Sequence, residues 1–131
     1  KQHLEVRGAD MGDEAYIKAL PAFHVGLLYD EEALEQTLAL FEGVSAEALW
    51  EARDLVDEQG LSAQLANRSL LSWAQALIEL SQEGLKRWEP EALGMLAPLA
   101  EAIEQGLQPA DLNRARWSQG LEALMAGARV C

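Results

Sequence analysis

The sequence predicts a mainly α-helical fold: one N-terminal strand followed by a lobe of several helices. Ala and Leu supply 45 of the 131 residues, whereas Val, Ile and Thr together supply 9. Small and straight-chain residues lose little freedom in a helix, while β-branched ones favour strands. From Ala15 onward the apolar residues recur at helical spacing, between residues suited to starting and stopping helices. Residues 2–7 alone alternate with a period of two.

In that first segment Leu4 and Val6 alternate with His3, Glu5 and Arg7, and Gly8 ends the run. A single strand cannot satisfy its own backbone groups, and no other segment reads as its partner. With a sequence that opens on Lys1, the expectation is that residues 1–14 are the strand and turn of a sheet lying upstream. Residues 15–131 are then a C-terminal helical lobe. The plainer alternative is a frayed or tag-derived terminus.

The helices follow in order. Pro21 suits the first turn of a helix carrying Phe23, Leu27 and Leu28. Asp30 caps the next, with Glu31 and Glu32 at its positive end, Leu34, Leu38 and Phe41 as its buried stripe, and Gly43 as its stop. Ser45 opens a third, with Glu47 in its first turn, Leu49, Ala52 and Val56 on one side, and Gly60 closing it. Residues 61–68 read as a connector. Ser69 starts the longest helix, with Leu70, Ala74, Leu77 and Ile78 at helical spacing towards Leu85. Pro90 stands at a helix start after Trp88. Pro98 argues for a break, because proline removes a hydrogen bond and clashes with the preceding turn. The expectation there is a turn over 91–95, then a helix over 96–105 ended by Gly106. Pro109 begins the last helix, which carries Trp117, Leu121 and Leu124 and frays towards Cys131. Trp50, Trp73, Trp88 and Trp117 are all assigned to packing.

Composition narrows the function. The net charge is −12, from 10 Lys and Arg against 22 Asp and Glu, and no basic face is visible for phosphate backbones, so nucleic acid is not an expected partner. No apolar run approaches the roughly 20 residues of a membrane span, so no membrane partner is expected. The single cysteine, Cys131, excludes an internal disulfide, fits a reducing compartment and points to a cytoplasmic location. Nothing near it would activate its thiol. His24, beside Phe23 and Val25, reads as a packed residue.

The chemistry-bearing candidates are Glu5 and Arg7. Alternation puts them on one strand face, where a carboxylate can take Mg²⁺ and a guanidinium can offer a planar fork to phosphate oxygens. Spacing alone favours the simpler reading, a solvated charge pair worth under about 1 kcal/mol.

Leu4-Glu5-Val6-Arg7-Gly8-Ala9-Asp10, followed by Ala19-Leu20-Pro21-Ala22-Phe23 and Val25-Gly26-Leu27-Leu28-Tyr29-Asp30, closely resembles the C-terminal part of glutamate–cysteine ligase of the plant and proteobacterial type. Glu83-Gly84-Leu85-Lys86-Arg87, Leu96-Ala97-Pro98-Leu99 and Gln108-Pro109-Ala110 sit where that family has similar pieces. The likeness covers roughly residues 4–111 and is strongest in the first thirty. Two linked motifs in the right order overturn the charge-pair reading. There are departures: Met11-Gly12-Asp13-Glu14 stands where the family usually has Gly-Pro-Trp, and His24 where it commonly has Trp. These bear on amino-acid preference more than on the ATP chemistry.

The resemblance implies an ATP-dependent ligase of glutathione biosynthesis that uses Mg²⁺ and joins glutamate to cysteine through an acyl phosphate. It implies Glu5 as a Mg²⁺ ligand, Arg7 as the catalytic residue holding the transferred ATP phosphate, and Asp10 as a turn-stabilising residue. His24 would be structural or line the amino-acid pocket. The upstream portion of the same protein becomes a partner, and residues 1–131 alone are expected to be inactive. The competing reading is a non-enzymatic helical interaction module, or the small subunit of a split ligase.

Overall fold

The computed structural model describes residues 5–6 and 13–127. Glu5 and Val6 are exposed and in no regular element. The rest of the predicted strand lies outside the described residues, as do Arg7, Asp10 and Cys131. Seven α-helices, one minimal hairpin and two short 3-10 turns (Gly60–Ser62 and Pro90–Ala92) account for the regular structure among the described residues: α1 (Glu14–Leu28), α2 (Glu31–Leu40), α3 (Ala46–Gln59), β1 (Gln64–Leu65), β2 (Arg68–Ser69), α4 (Leu70–Trp88), α5 (Leu93–Glu104), α6 (Pro109–Ser118) and α7 (Leu121–Gly127). The chain is mainly α, as its composition predicts. None of these helices is long and apolar enough to cross a membrane.

The helix starts follow the sequence. Asp30 Oδ1 accepts from the Ala33 N–H at 2.8 Å, Ser45 Oγ from Ala48 at 3.2 Å, and Ser69 Oγ from Ser72 at 3.2 Å. Each satisfies a donor that the first turn leaves orphaned. Gly60 closes α3 at φ +54°, a conformation that costs glycine little.

Two core clusters share α4. One joins Ala22 of α1, Ile78 and Leu85 of α4, and Leu96 and Ile103 of α5. The other gathers Ala52 of α3, Leu65 of β1 and Trp73 of α4. Trp73 stacks on Phe41, ring centroids 4.9 Å apart, and donates from Nε1 to the Leu65 carbonyl at 3.0 Å. The polar end of a buried indole is thereby satisfied.

Several expectations are corrected. Pro21 does not start a helix: α1 begins seven residues earlier, capped by Asp13, and runs through it. Pro98 does not break one either, since α5 continues from Leu93 to Glu104. An interior proline costs a helix about 3 kcal/mol. Ala19, Ala22 and Leu27 are buried on α1, and Leu96, Ala102 and Ile103 on α5, so apolar burial on both sides of each proline outweighs that cost. The predicted stripe of α2 also shifts. Leu38 is 65% exposed and Ala33 is the buried residue, because α2 approaches α4 too closely for a larger side chain. On α3, Leu49 points outward while Ala52 is buried.

The predicted connector over 61–68 contains a 3-10 turn, Gly60–Ser62, and the hairpin β1–β2, paired antiparallel with Leu65 opposite Arg68. Its two-residue turn, Ala66 and Asn67, has both φ values positive, at 51° and 61°. The last predicted helix is divided at Gly120 into α6 and α7, which pack chiefly on each other. Of the four tryptophans assigned to packing, only Trp73 is buried; Trp50, Trp88 and Trp117 are exposed.

Candidate functional site

Two of the pieces of sequence that carry the family likeness meet in space. Residues 25–30 end α1 and enter α2, and residues 83–87 form the last turns of α4; α1 and α4 cross there. At the closest approach, glycine on each helix brings backbone against backbone. A Cβ on Gly84 would stand 1.9 Å from the Gly26 carbonyl oxygen, and a Cβ on Gly26 would stand 2.3 Å from the Ser81 carbonyl oxygen. Only glycine at both positions permits so close an approach. Ser81, fully buried, donates from Oγ to the Phe23 carbonyl at 3.0 Å and bridges the same crossing.

One turn further on, Arg87 donates from Nη2 to Asp30 Oδ1 at 2.7 Å and from Nε to Asp30 Oδ2 at 3.0 Å. Glu32 stands 3.6 Å from the same guanidinium. The Arg87 hydrogen bonds, with the capping bond from Ala33 next, hold the Asp30 carboxyl below its ordinary range, and Asp30 raises Arg87 in return. Beside this clamp the exposed rings of Tyr29 and Trp88 sit 6.0 Å apart at a tilted angle. Sequence reasoning gave Gly26, Gly84, Asp30 and Arg87 no common role. The glycine inside a helical stretch, Gly84, was the available signal, since such a glycine often marks a close approach.

The predicted chemical pair is placed only in part. Glu5 is exposed ahead of α1, and Arg7 lies outside the described residues, so their mutual geometry is not on view. Among the described residues no group of three His, Cys, Asp or Glu side chains could together hold a metal ion.

His24 is half-buried in α1, where Nδ1 donates to the Leu20 carbonyl at 2.9 Å and its ring meets Phe23 edge-on with centroids 5.3 Å apart. Both contacts lie within its own helix and fit the packed role read from sequence. Near the start of α1, burial above all, and then the neighbouring Asp13 carboxylate, push the Tyr16 hydroxyl pKa up.

Between the outer faces of α1 and α5 lies a furrow made of two open hollows of about 440 and 400 Å³. Lys18 and Met95 line both, and Tyr29 and Trp88 stand at one end.

Comparison with known proteins agrees with the motif reading. The glutamate–cysteine ligase of tomato (Solanum lycopersicum), named as chloroplastic, is 35% identical over 128 residues, which take in 95% of this chain and 24% of the tomato protein. The chloroplastic enzyme of tobacco (Nicotiana tabacum) is 34% identical over 126 residues, 93% of this chain and 24% of its own. That of Arabidopsis thaliana is 32% identical over the same length, with the same shares. The chain spans about a quarter of the length of these curated relatives. A family model described as Glutamate-cysteine ligase family 2 matches residues 1–128. With nearly its whole length inside that match, the chain belongs to glutamate–cysteine ligase family 2.

Proposed function

We propose that this chain is the C-terminal segment of an ATP-dependent ligase that joins the γ-carboxylate of glutamate to the amine of cysteine, the first step of glutathione synthesis. The observation that carries the proposal is the run Leu4–Asp10 followed by residues 19–30, inside a family match over residues 1–128. A carboxylate resists attack by an amine until one of its oxygens becomes a good leaving group. Phosphorylation by ATP supplies that, and the cysteine nitrogen then displaces phosphate from the acyl phosphate.

In this reading Arg7 spreads two N–H donors along the phosphate oxygens, where charge gathers during transfer. Glu5 contributes one carboxylate to Mg²⁺, which when bound neutralises phosphate charge. The remaining ligands, and the pockets for both amino acids, belong to the portion of the ligase upstream. The helices hold the segment in place: the α1–α4 crossing fixes α1, and α1 leads back to Arg7 within a few residues. The single cysteine supports a cytoplasmic setting for this ligase, whereas the plant relatives are named as chloroplastic.

The test is a coupled assay on the purified full-length ligase. Phosphate release should require glutamate and cysteine together and should accompany γ-glutamylcysteine formation. Phosphate release indifferent to cysteine, or no product, would defeat the proposal. The 131-residue chain alone should be inactive, because one metal ligand and one phosphate contact cannot assemble three substrates and a metal ion.

A further inference from the structure

α3 meets the rest of the lobe along one narrow strip. Ala52 is its buried residue, Ala48 and Val56 are half-buried on the same face, and its other residues are exposed. To the core cluster around Trp73 it contributes only the methyl groups of Ala48 and Ala52. By contrast, α4 buries Trp73, Ile78, Ser81, Gly84 and Leu85. A helix of 14 residues is marginal by itself in water and takes its stability from packing an apolar face. Two methyl groups supply little of that. α2 buries as little, but the Arg87–Asp30 clamp fastens it to α4. Among the described residues no ion pair does the same for α3.

The charges of α3 also work against it. Asp54 has Glu51 three residues before it, Asp57 three after it and Glu58 four after it, and Glu47 stands four residues before Glu51. Residues so spaced are neighbours on a helix surface, and like charges there repel. Asp57 and Glu58 lie at the negative end of the helix dipole, with no basic residue in the last turn. Arg53, the one cation of α3, lies over the Trp50 ring, 5.0 Å from its centroid. Glycines at positive φ flank the helix, Gly43 at 80° two residues ahead of the Ser45 cap and Gly60 at 54° at its end. Such positions can absorb a change of backbone direction at little cost.

We propose that α3 is a separately opening flap, closed by Ala48 and Ala52 over the cluster of Phe41, Leu65 and Trp73, and that repulsion among its own carboxylates sets how often it opens. Ionic strength is then the control. Salt screens repulsion between exposed charges, so raising it favours the closed flap. Opening uncovers the stacked Phe41 and Trp73 rings. It leaves the other core standing, because the cluster of α1, α4 and α5 includes no residue of α3. α3 is thus a unit of local opening with a lower free energy than the α1–α4 crossing.

The test is amide hydrogen exchange on the full-length ligase at about 0.05 M and about 0.5 M sodium chloride, with Asp54→Lys as the variant. Peptides from residues 46–59 should exchange about tenfold or more faster than those from residues 14–28 and 70–88. Salt should slow the first severalfold and the others much less. Asp54 is exposed, and lysine there turns its repulsions with Glu51, Asp57 and Glu58 into attractions. The variant should therefore slow exchange over 46–59 severalfold at low salt, and added salt should no longer slow it. Exchange over 46–59 in step with α1 and α4 would overturn the flap. A salt response that persists unchanged in Asp54→Lys would overturn the control by charge. Exchange is read without turnover, so the outcome is independent of the ligase chemistry.

Discussion

Arg87 grips both carboxylate oxygens of Asp30 at 2.7 and 3.0 Å, while the same carboxylate caps α2 through the Ala33 N–H at 2.8 Å. One side chain thus starts α2 and fastens it to the end of α4. The two residues are 57 positions apart, so the bond orders the chain over a long range.

Asp30→Asn keeps a capping oxygen but removes the charge, and its effect should depend on pH. Because Asp30 is held below its ordinary range, mainly by Arg87, its contribution is present in full above about pH 4 and is lost as pH falls through the folded value. The wild type should have the higher urea midpoint at neutral pH, and the gap should close in acid. A gap that stays constant down to about pH 3 would show that the carboxylate charge is not the cause.

Gly84→Ala should destabilise by about 3 kcal/mol or more, since its methyl would meet the Gly26 carbonyl oxygen at 1.9 Å, and backbone cannot step aside as a rotamer can. Gly94→Ala adds the same methyl to a helix where nothing lies within 4 Å, and should stabilise by about 0.5 kcal/mol. Thermal melts of the two variants side by side make the comparison; similar shifts would refute the close crossing.

The turn at Ala66 and Asn67 holds two residues at positive φ, 51° and 61°. Converting it to Asn-Gly through Ala66→Asn and Asn67→Gly should raise stability by about 1 kcal/mol, because that pair suits such a hairpin turn. A lowered melting temperature would mean the turn is not of this kind.

Arg7→Lys in the full-length ligase keeps the charge and loses the planar fork. Turnover should fall about a hundredfold or more, with smaller changes in substrate affinity. Glu5→Gln should raise the Mg²⁺ concentration needed for half-maximal rate, and an unmoved Mg²⁺ titration would remove it as a ligand.

His24→Trp restores the residue the family commonly carries. With the present ring bonded within its own helix, phosphoryl transfer should survive, and any change should fall on the KM for cysteine. A loss of turnover with an intact melting transition would assign His24 a proton-transfer role.

What was readable in the sequence was local. Asp30, Ser45 and Ser69 announce their helices because a cap is settled by bonds spanning three residues. The prolines misled because their cost is local, while the burial that offsets it comes from other helices. Leu38 and Leu49 misled because helical spacing marks a face without saying how near the neighbour stands; where α2 meets α4, only Ala33 fits. The hairpin stayed hidden because Ala66-Asn67 is not a usual pair for its turn. Glu5 and Arg7 were named through family likeness, and Arg7 lies outside the described residues. The pairing of Gly26 with Gly84, and of Asp30 with Arg87, depends on a long-range contact that no periodicity encodes.

Where Gly26 meets Gly84, peptide lies against peptide, with no side chain at either position to absorb an error. Elsewhere in the lobe a changed side chain can be accommodated by letting a helix drift a fraction of an ångström. α1 and α4 have no such play. Substitutions in the two cores will therefore be registered as displacements of α2, α3 and α5 about a stationary axis. Homologues superposed on residues 22–29 and 80–87 should show where their other helices have wandered, with that crossing as the survey mark.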